Sequence, residues 1–365
     1  PISNSFGAMV THIQSATVSD GGANHIQGIQ FNKDGTKMFT LNNITDGETN
    51  THINEYTLST PFDISTRTYA GPNERCELDH GAGQQGGSYD LEFSSDGMKL
   101  FFAEGITKDG EDKDKVFRFD LTTAYDISTC LYANNVTFNL DSDALQNGSN
   151  AGDVTFGKRQ NRLQGLEIND DGTKLFLIFH GYSSTLAPNT RLLEYQLSTP
   201  YDLTTISLVT TAGIELEGET ANPYSIRFSA NGKRIFSVDH ESGSQDVTQI
   251  SLTSAYDTSG FTIDGTVSLP SLKSTITQPR GIAFSASGLK MYIGNDRTFE
   301  LNGSDTIHEF DLVCPFNIIE GKCPSITTGD RTGIAIAQIE VATRTIEHST
   351  DTALNRLKWI RRNKD

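Results

Sequence analysis

The 365-residue chain has no apolar run approaching the ~18 residues that a membrane-spanning helix needs, so none is expected. It has no excess of positive charge either. Twenty-nine Lys and Arg stand against 46 Asp and Glu, a formal charge of −17. Residues 331–365 carry +3 of this, leaving −20 for residues 1–330. A nucleic-acid or anionic-membrane surface needs a basic footprint, so neither partner is expected. There are four cysteines and no Cys-x-x-Cys spacing, which argues against a zinc site. The Gly-x-Ser-x-Gly elbow, the phosphate-binding loop and the dinucleotide fingerprint are missing, so no nucleophile or nucleotide chemistry announces itself. The chain opens on Pro1 with neither an initiator Met nor a charged-then-apolar leader, and reads as a processed or trimmed product.

What the sequence does have is one motif five times. The copies are Phe31-Asn-Lys-Asp-Gly-Thr-Lys-Met-Phe39, Phe93-Ser-Ser-Asp-Gly-Met-Lys-Leu-Phe101, Ile168-Asn-Asp-Asp-Gly-Thr-Lys-Leu-Phe176, Phe228-Ser-Ala-Asn-Gly-Lys-Arg-Ile-Phe236 and Phe284-Ser-Ala-Ser-Gly-Leu-Lys-Met-Tyr292. Each is a strand, a polar turn with Gly where positive φ is needed, and a second strand. A second motif follows every time, as in Ile53-Asn-Glu-Tyr-Thr-Leu-Ser-Thr-Pro-Phe-Asp-Ile64, and supplies a third strand and a turn; a weaker fourth strand comes next. Four antiparallel strands per unit, five units, predict an all-β chain: a five-bladed β-propeller with an α-helical C-terminal tail. Residues 1–325 form the propeller, residues 326–365 the tail. The strand-like stretch 8–18 is expected to complete the last blade and so remove an exposed edge.

The first-to-second and third-to-fourth turns are short and nearly identical in all units, whereas the other connections vary, for example Gly71–Gly87, Ala133–Leu163 and Phe179–Asn189. The two constant turns share one face of the disc and the variable loops share the other, where binding is expected. Strand one starts on that face near the axis. Counting back from each turn gives a polar ring of Gln27, Tyr89, Gln164, Tyr224 and Arg280, suited to a sugar, a peptide or an ion, or else to filling a wet funnel. The ends of the second strands give a further set: Asn42, Glu104, His180, Asp239, His240, Asn295 and Asp296. These lack an evident acid–base pair or a metal-ligand spacing, so no catalytic residue and no metal site is assigned. His80, His240 and His308 read as ordinary solvated histidines. The acidic loop Gly105–Lys115 lacks the ligand order of a calcium-binding loop; no cofactor is expected, with a calcium ion there the weaker alternative. Cys314 and Cys323 bracket a turn-capable segment and are expected to pair in an oxidising compartment; Cys76 and Cys130 are open to pairing between adjacent units.

After Cys323-Pro324 the pattern changes. Residues 334–348 show helical apolar spacing, and 352–362 are amphipathic and basic. The Asn-Glu-Tyr-Thr-Leu-Ser-Thr-Pro-Phe-Asp-Ile wording resembles propeller repeats of large surface proteins of marine bacteria. Ala353-Leu-Asn-Arg-Leu-Lys-Trp-Ile-Arg-Arg-Asn-Lys-Asp365 resembles the segment just before the outer-membrane β-barrel of autotransporters. That resemblance implies export of a passenger by its own barrel, with a linking helix in the pore, though no barrel follows Asp365. The expected function is therefore a non-enzymatic extracellular or outer-membrane-associated propeller for adhesion, ligand binding or a surface coat, whose tail meets a barrel or neighbouring copies. The alternatives are a subunit of a surface lattice or filament, and a secreted glycan-active enzyme, since propellers also host glycosidases.

Overall fold

The computed structural model describes residues 8–18, 24–44, 51–78, 87–105, 107–108, 111–112, 114–133, 136–140, 161–181, 190–209, 213–216, 222–240, 245–296 and 305–323. The tail expected to be helical, His80 and residues 106, 109–110 and 113 of the acidic loop fall outside them; within that loop, Thr107–Lys108 and Glu111–Asp112 pair as a two-rung ladder.

Turn chemistry builds each hairpin. Asn32, Ser94, Asn169, Ser229 and Ser285 accept, through their side chains, the N–H of the residue that starts the second strand, at 2.8–3.1 Å. Asp34, Asp96, Asp171 and Asn231 each accept the N–H two residues on, at 2.9–3.0 Å. The glycine at each turn has φ between +66° and +72°. It meets a second demand as well, because an aromatic ring from the third-to-fourth turn lies over it. Phe62, Tyr125, Tyr201, Tyr256 and Phe316 cover Gly35, Gly97, Gly172, Gly232 and Gly288, and a Cβ at any of these glycines would overlap a ring. The five aromatics themselves sit at φ of 49–60°, where a bulky residue is strained. Each is held there by donating its N–H to the carbonyl of the glycine it covers, at 2.8–2.9 Å.

Five sheets result. Blade 1 is Asn24–Phe31, Lys37–Ile44, His52–Leu58 and Arg67–Tyr69, with Cys76–Glu77 also on its third strand. Blade 2 is Gly87–Phe93, Lys99–Gly105, Lys115–Asp120 and Leu131–Tyr132, with Phe138–Asn139 added in the same way. Blade 3 is Asn161–Ile168, Lys174–Gly181, Arg191–Leu197 and Ile206–Leu208, with Ile214–Glu215 added. Blade 4 is Pro223–Phe228, Arg234–Asp239, Asp246–Ser254 and the long outer strand Asp257–Ser268. Blade 5 is Pro279–Phe284, Lys290–Asn295 and Thr306–Leu312, and its outer strand is Val10–Thr17 from the other end of the chain, antiparallel to Thr306–Leu312. All pairings are antiparallel.

The core is divided among the gaps between blades. Phe39 and Leu41 of blade 1 pack with Leu91 and Phe102 of blade 2, and equivalent clusters fill the other four gaps. A polar circuit runs round the constant face above these clusters. The carbonyl of each strained aromatic accepts a hydrogen bond from the preceding blade. Lys37 Nζ reaches Tyr125 O at 2.9 Å, Arg118 Nη1 reaches Tyr201 O at 3.1 Å, and Lys174 Nζ reaches Tyr256 O at 2.5 Å. Arg234 Nη1 reaches Phe316 O at 2.7 Å, and the Tyr292 hydroxyl closes the circle on Phe62 O at 2.6 Å. Cys76–Cys130 joins blades 1 and 2, and Cys314–Cys323 closes the expected short loop.

Candidate functional site

Every inner strand carries a β-bulge, and the five residues of the sequence-derived ring fall in them. The register breaks at Gln27, Tyr89, Gln164, Tyr224 and the Arg280–Gly281 pair. A bulge turns its extra residue out of the ladder and re-aims its side chain, so the same distortion is repeated at five points round the axis. One rung earlier, Asn42, Glu104, His180, Asp239 and Asn295 face Ile26, Ser88, Arg162, Pro223 and Pro279 from the second strands. Both sets therefore lie at one end of the channel, the end of the variable loops.

All five ring residues are buried, at 9% exposure or less. Tyr224 is the hub. The Arg280 guanidinium stacks 4.1 Å above its ring, and Tyr89 and His240 meet it edge-on with ring centres 5.7 and 4.9 Å away. Arg280 Nη2 lies 3.6 Å from Asp296, and the same carboxylate accepts from His25 Nδ1 at 3.0 Å. That hydrogen bond raises the pKa of His25 above the usual imidazole value. Burial, with the Arg280 charge adding to it, lowers His240 to about 4, so this imidazole is neutral at pH 7. His308, expected to be solvated, is instead buried in blade 5 against Ser15 Oγ at 2.8 Å, because its strand is covered by Val10–Thr17.

Aspartates at this end hold the framework. Asp305 accepts the Ile26 N–H at 2.7 Å and Asp114 accepts the Leu163 N–H at 2.9 Å, each reaching the next blade. Asp239 accepts the Asn222 N–H at 3.3 Å. Asn295 Oδ1 takes the N–H groups of Thr277 and Gln278 at 3.1 and 2.8 Å. By contrast, Gln27 Oε1, Gln164 Oε1, Arg280 Nε and His240 Nδ1 are buried atoms that find no hydrogen-bond partner among the described residues.

Below the ring the axis is closed. The next residues along the inner strands are Gly28, Asp90, Gly165, Ser225 and Gly281, and the glycines are required by crowding: a Cβ on Gly281 would lie 2.9 Å from Ile29 N, and one on Gly165 3.1 Å from Ser225 Cα. Asp90, fully buried, fills the space the glycines leave. It receives Arg227 Nη1 at 3.0 Å, Arg227 Nη2 at 2.9 Å, Ser225 Oγ at 2.8 Å and the Leu91 N–H at 2.9 Å. Two residues further on stand Gln30, Glu92, Glu167, Arg227 and Ala283. None of these axial residues is among the sequence-derived candidates, although they occupy positions one and three beyond each ring residue.

No family model and no curated protein matches the chain. Among solved structures, a GH43_1 enzyme from Xanthomonas citri aligns at 10% identity over 87% of this chain and 97% of its own, with a TM-score of 0.49. The soluble aldose sugar dehydrogenase of Escherichia coli aligns at 14% identity over 83% and 99%, with a TM-score of 0.44. An exo-β-1,3-galactanase from Phanerochaete chrysosporium gives 11% identity, 80% and 64% coverage and a TM-score of 0.48. Likeness at this level bears on no activity, and the fold stands on the strand pairings described above.

Proposed function

We propose that this chain is an extracellular recognition module, binding a glycan or peptide ligand at the variable-loop mouth of the channel without chemically altering it. The carrying observation is the contrast there between four aspartates and the polar atoms of Gln27, Gln164, Arg280 and His240. Asp114, Asp239, Asp296 and Asp305 are engaged by backbone N–H groups or cations, so none of them stands ready as an acid or base. Gln27, Gln164, Arg280 and His240 carry buried polar atoms whose hydrogen-bonding capacity is unused among the described residues. A buried polar atom left unsatisfied costs about 1–3 kcal/mol, and a ligand rich in hydroxyl or amide groups recovers that cost on binding.

The two disulfides fit an oxidising, extracellular setting. Attachment to an outer-membrane barrel or to neighbouring copies belongs to residues 326–365 and is part of the same proposal. Among the described residues, no helix is long and apolar enough to cross a membrane.

A glycan array probed with the full chain, scored for both retention and cleavage, tests this reading. Retention without cleavage, lost in Arg280→Ala and Gln164→Ala, is expected. Cleavage that disappears in Glu104→Gln or Asp239→Asn would overturn it in favour of a glycan-active enzyme.

A further inference from the structure

At the opposite, constant-turn end, the axis opens into a cavity of about 220 Å³. Its lining includes the carboxyl groups of Glu92 and Glu167 and the aromatic side chains of Phe93, Phe228, Tyr125 and Tyr256. Blades 2, 3 and 4 all contribute, so the cavity is a product of the ring and not of any one hairpin.

The charges behind it do not balance. Three carboxyl groups, Asp90, Glu92 and Glu167, face a single buried guanidinium, and Asp90 takes both terminal nitrogens of Arg227. Glu167 Oε2 lies 3.5 Å from Arg227 Nη1, and Glu92 Oε2 lies 4.0 Å from its Nε. Glu92 accepts Gln30 Nε2 at 2.6 Å, and Glu167 Oε1 accepts the Phe228 N–H at 3.3 Å. Glu167 Oε2 is buried and receives no hydrogen bond among the described residues. Glu92 and Glu167 are close enough to hydrogen-bond to each other, and burial raises the pKa of both. Burial and mutual repulsion favour one proton shared by the pair, with no second cation paired to either carboxyl group among the described residues.

We propose that this cavity is a second ligand site, specific for a primary ammonium group carried by a free amine or by a lysine side chain of a partner. The ammonium offers three N–H donors and a full positive charge to the carboxyl pair, and the proton the pair had shared leaves to solvent. Its alkyl stem lies along Phe93 and Phe228, and the tyrosine rings add cation–π attraction. A metal ion suits the place less well: no three metal-ligating side chains converge among the described residues, and a hard cation wants six or more oxygens. An anion would meet the carboxyl pair directly. Lys33, at the lining, is exposed, and solvent screens its charge. This site stands on the other face from the mouth and does not depend on what binds there.

Titration calorimetry on the full chain at about pH 6, in two buffers of different ionisation heat, tests the site with n-butylammonium chloride and, separately, N-acetyl-lysine amide. Saturable binding with net proton release is expected, weakened by at least about tenfold in Glu167→Gln and in Ser95→Trp, which plugs the rim without touching the pair. Binding of both probes assigns the site to a lysine side chain, and binding of butylammonium alone assigns it to a free amine. Absence of saturable binding by either probe, binding without proton release, or wild-type affinity in both variants overturns the proposal. Should Glu167→Gln fail to fold, Ser95→Trp alone decides.

Discussion

Arg227 of blade 4 holds Asp90 of blade 2 through both terminal guanidinium nitrogens, at 3.0 and 2.9 Å, across the propeller axis. The two blades are not neighbours in the ring. The same guanidinium donates to Ile29 O of blade 1 and Leu91 O of blade 2, at 3.1 and 3.0 Å, so one side chain ties three inner strands together. Both partners are buried, Asp90 completely.

Removing one partner of such a pair strands the other in a low-dielectric interior. Asp90→Ala is therefore expected to cost about 3–5 kcal/mol of unfolding free energy, measured by urea denaturation. A loss under about 1 kcal/mol would mean that Glu92 and Glu167 neutralise Arg227 unaided.

The aromatic cover over the turn glycines gives a second prediction. At Gly172 an added Cβ would lie 2.5 Å from the Tyr201 ring, and φ is +72°. Gly172→Ala thus combines left-handed strain with a clash, at about 2 kcal/mol or more. If the ring is what opposes the methyl group, pairing it with Tyr201→Gly should give less than the sum of the two single losses. Strict additivity in thermal unfolding would assign the cost to the backbone alone.

The fold was legible because its information is local and repeated. Asp34-Gly35 and its four counterparts sit at the same place in each unit, and the alternation on either side is a strand signal whatever its partner. The ring residues were found by the same count. Their burial was not, since it depends on closure of the axis beneath them, where Asp90 stands against Gly28 and Gly165 and Gly281 packs on Gly28, and those four residues belong to inner strands far apart in sequence. Glu92, Glu167 and Arg227 escaped for a similar reason. Each is an ordinary polar residue in an alternating strand, and only closure of the ring makes them one charged group. The left-handed aromatics were visible as letters in Thr-Pro-Phe-Asp-Ile, but their strain and their glycine partners, about 27 residues upstream, were not.

The two disulfides should differ in weight. Cys76–Cys130 spans 54 residues and Cys314–Cys323 only 9. Loop-closure entropy gives about 4 kcal/mol for the first and about 3 kcal/mol for the second. The pair of substitutions Cys76→Ser and Cys130→Ser is expected to lower the thermal midpoint more than Cys314→Ser with Cys323→Ser. The reverse order would show that the short loop carries strain-free native contacts, such as Arg234 with Phe316 O, that outweigh the entropy of the longer one.

The axial carboxyl pair makes stability depend on pH in a defined direction. Burial raises Glu92 from 4.5 to about 7, and raises Glu167 as well. Below about pH 4.5 the group is protonated in both folded and unfolded chains, and its contribution is fully present. Between 4.5 and about 7 the folded state keeps a proton that the unfolded state has lost, so stability falls as pH rises, and above 7 the loss is complete. His25, raised by Asp296, adds a loss of the same sign above pH 6.5. His240, lowered to about 4, acts oppositely and gains stability as pH rises from 4 to 6.5. The raw profile mixes these, so the informative quantity is the difference between the wild-type chain and Glu92→Gln, which keeps a polar side chain of the same length and never ionises. The variant should match the wild type near pH 4.5 and exceed it by on the order of 2–3 kcal/mol at pH 8, with the gap opening between 4.5 and 7. A gap that is constant with pH would show that Glu92 ionises normally and that the axis carries its three carboxylates without a shared proton.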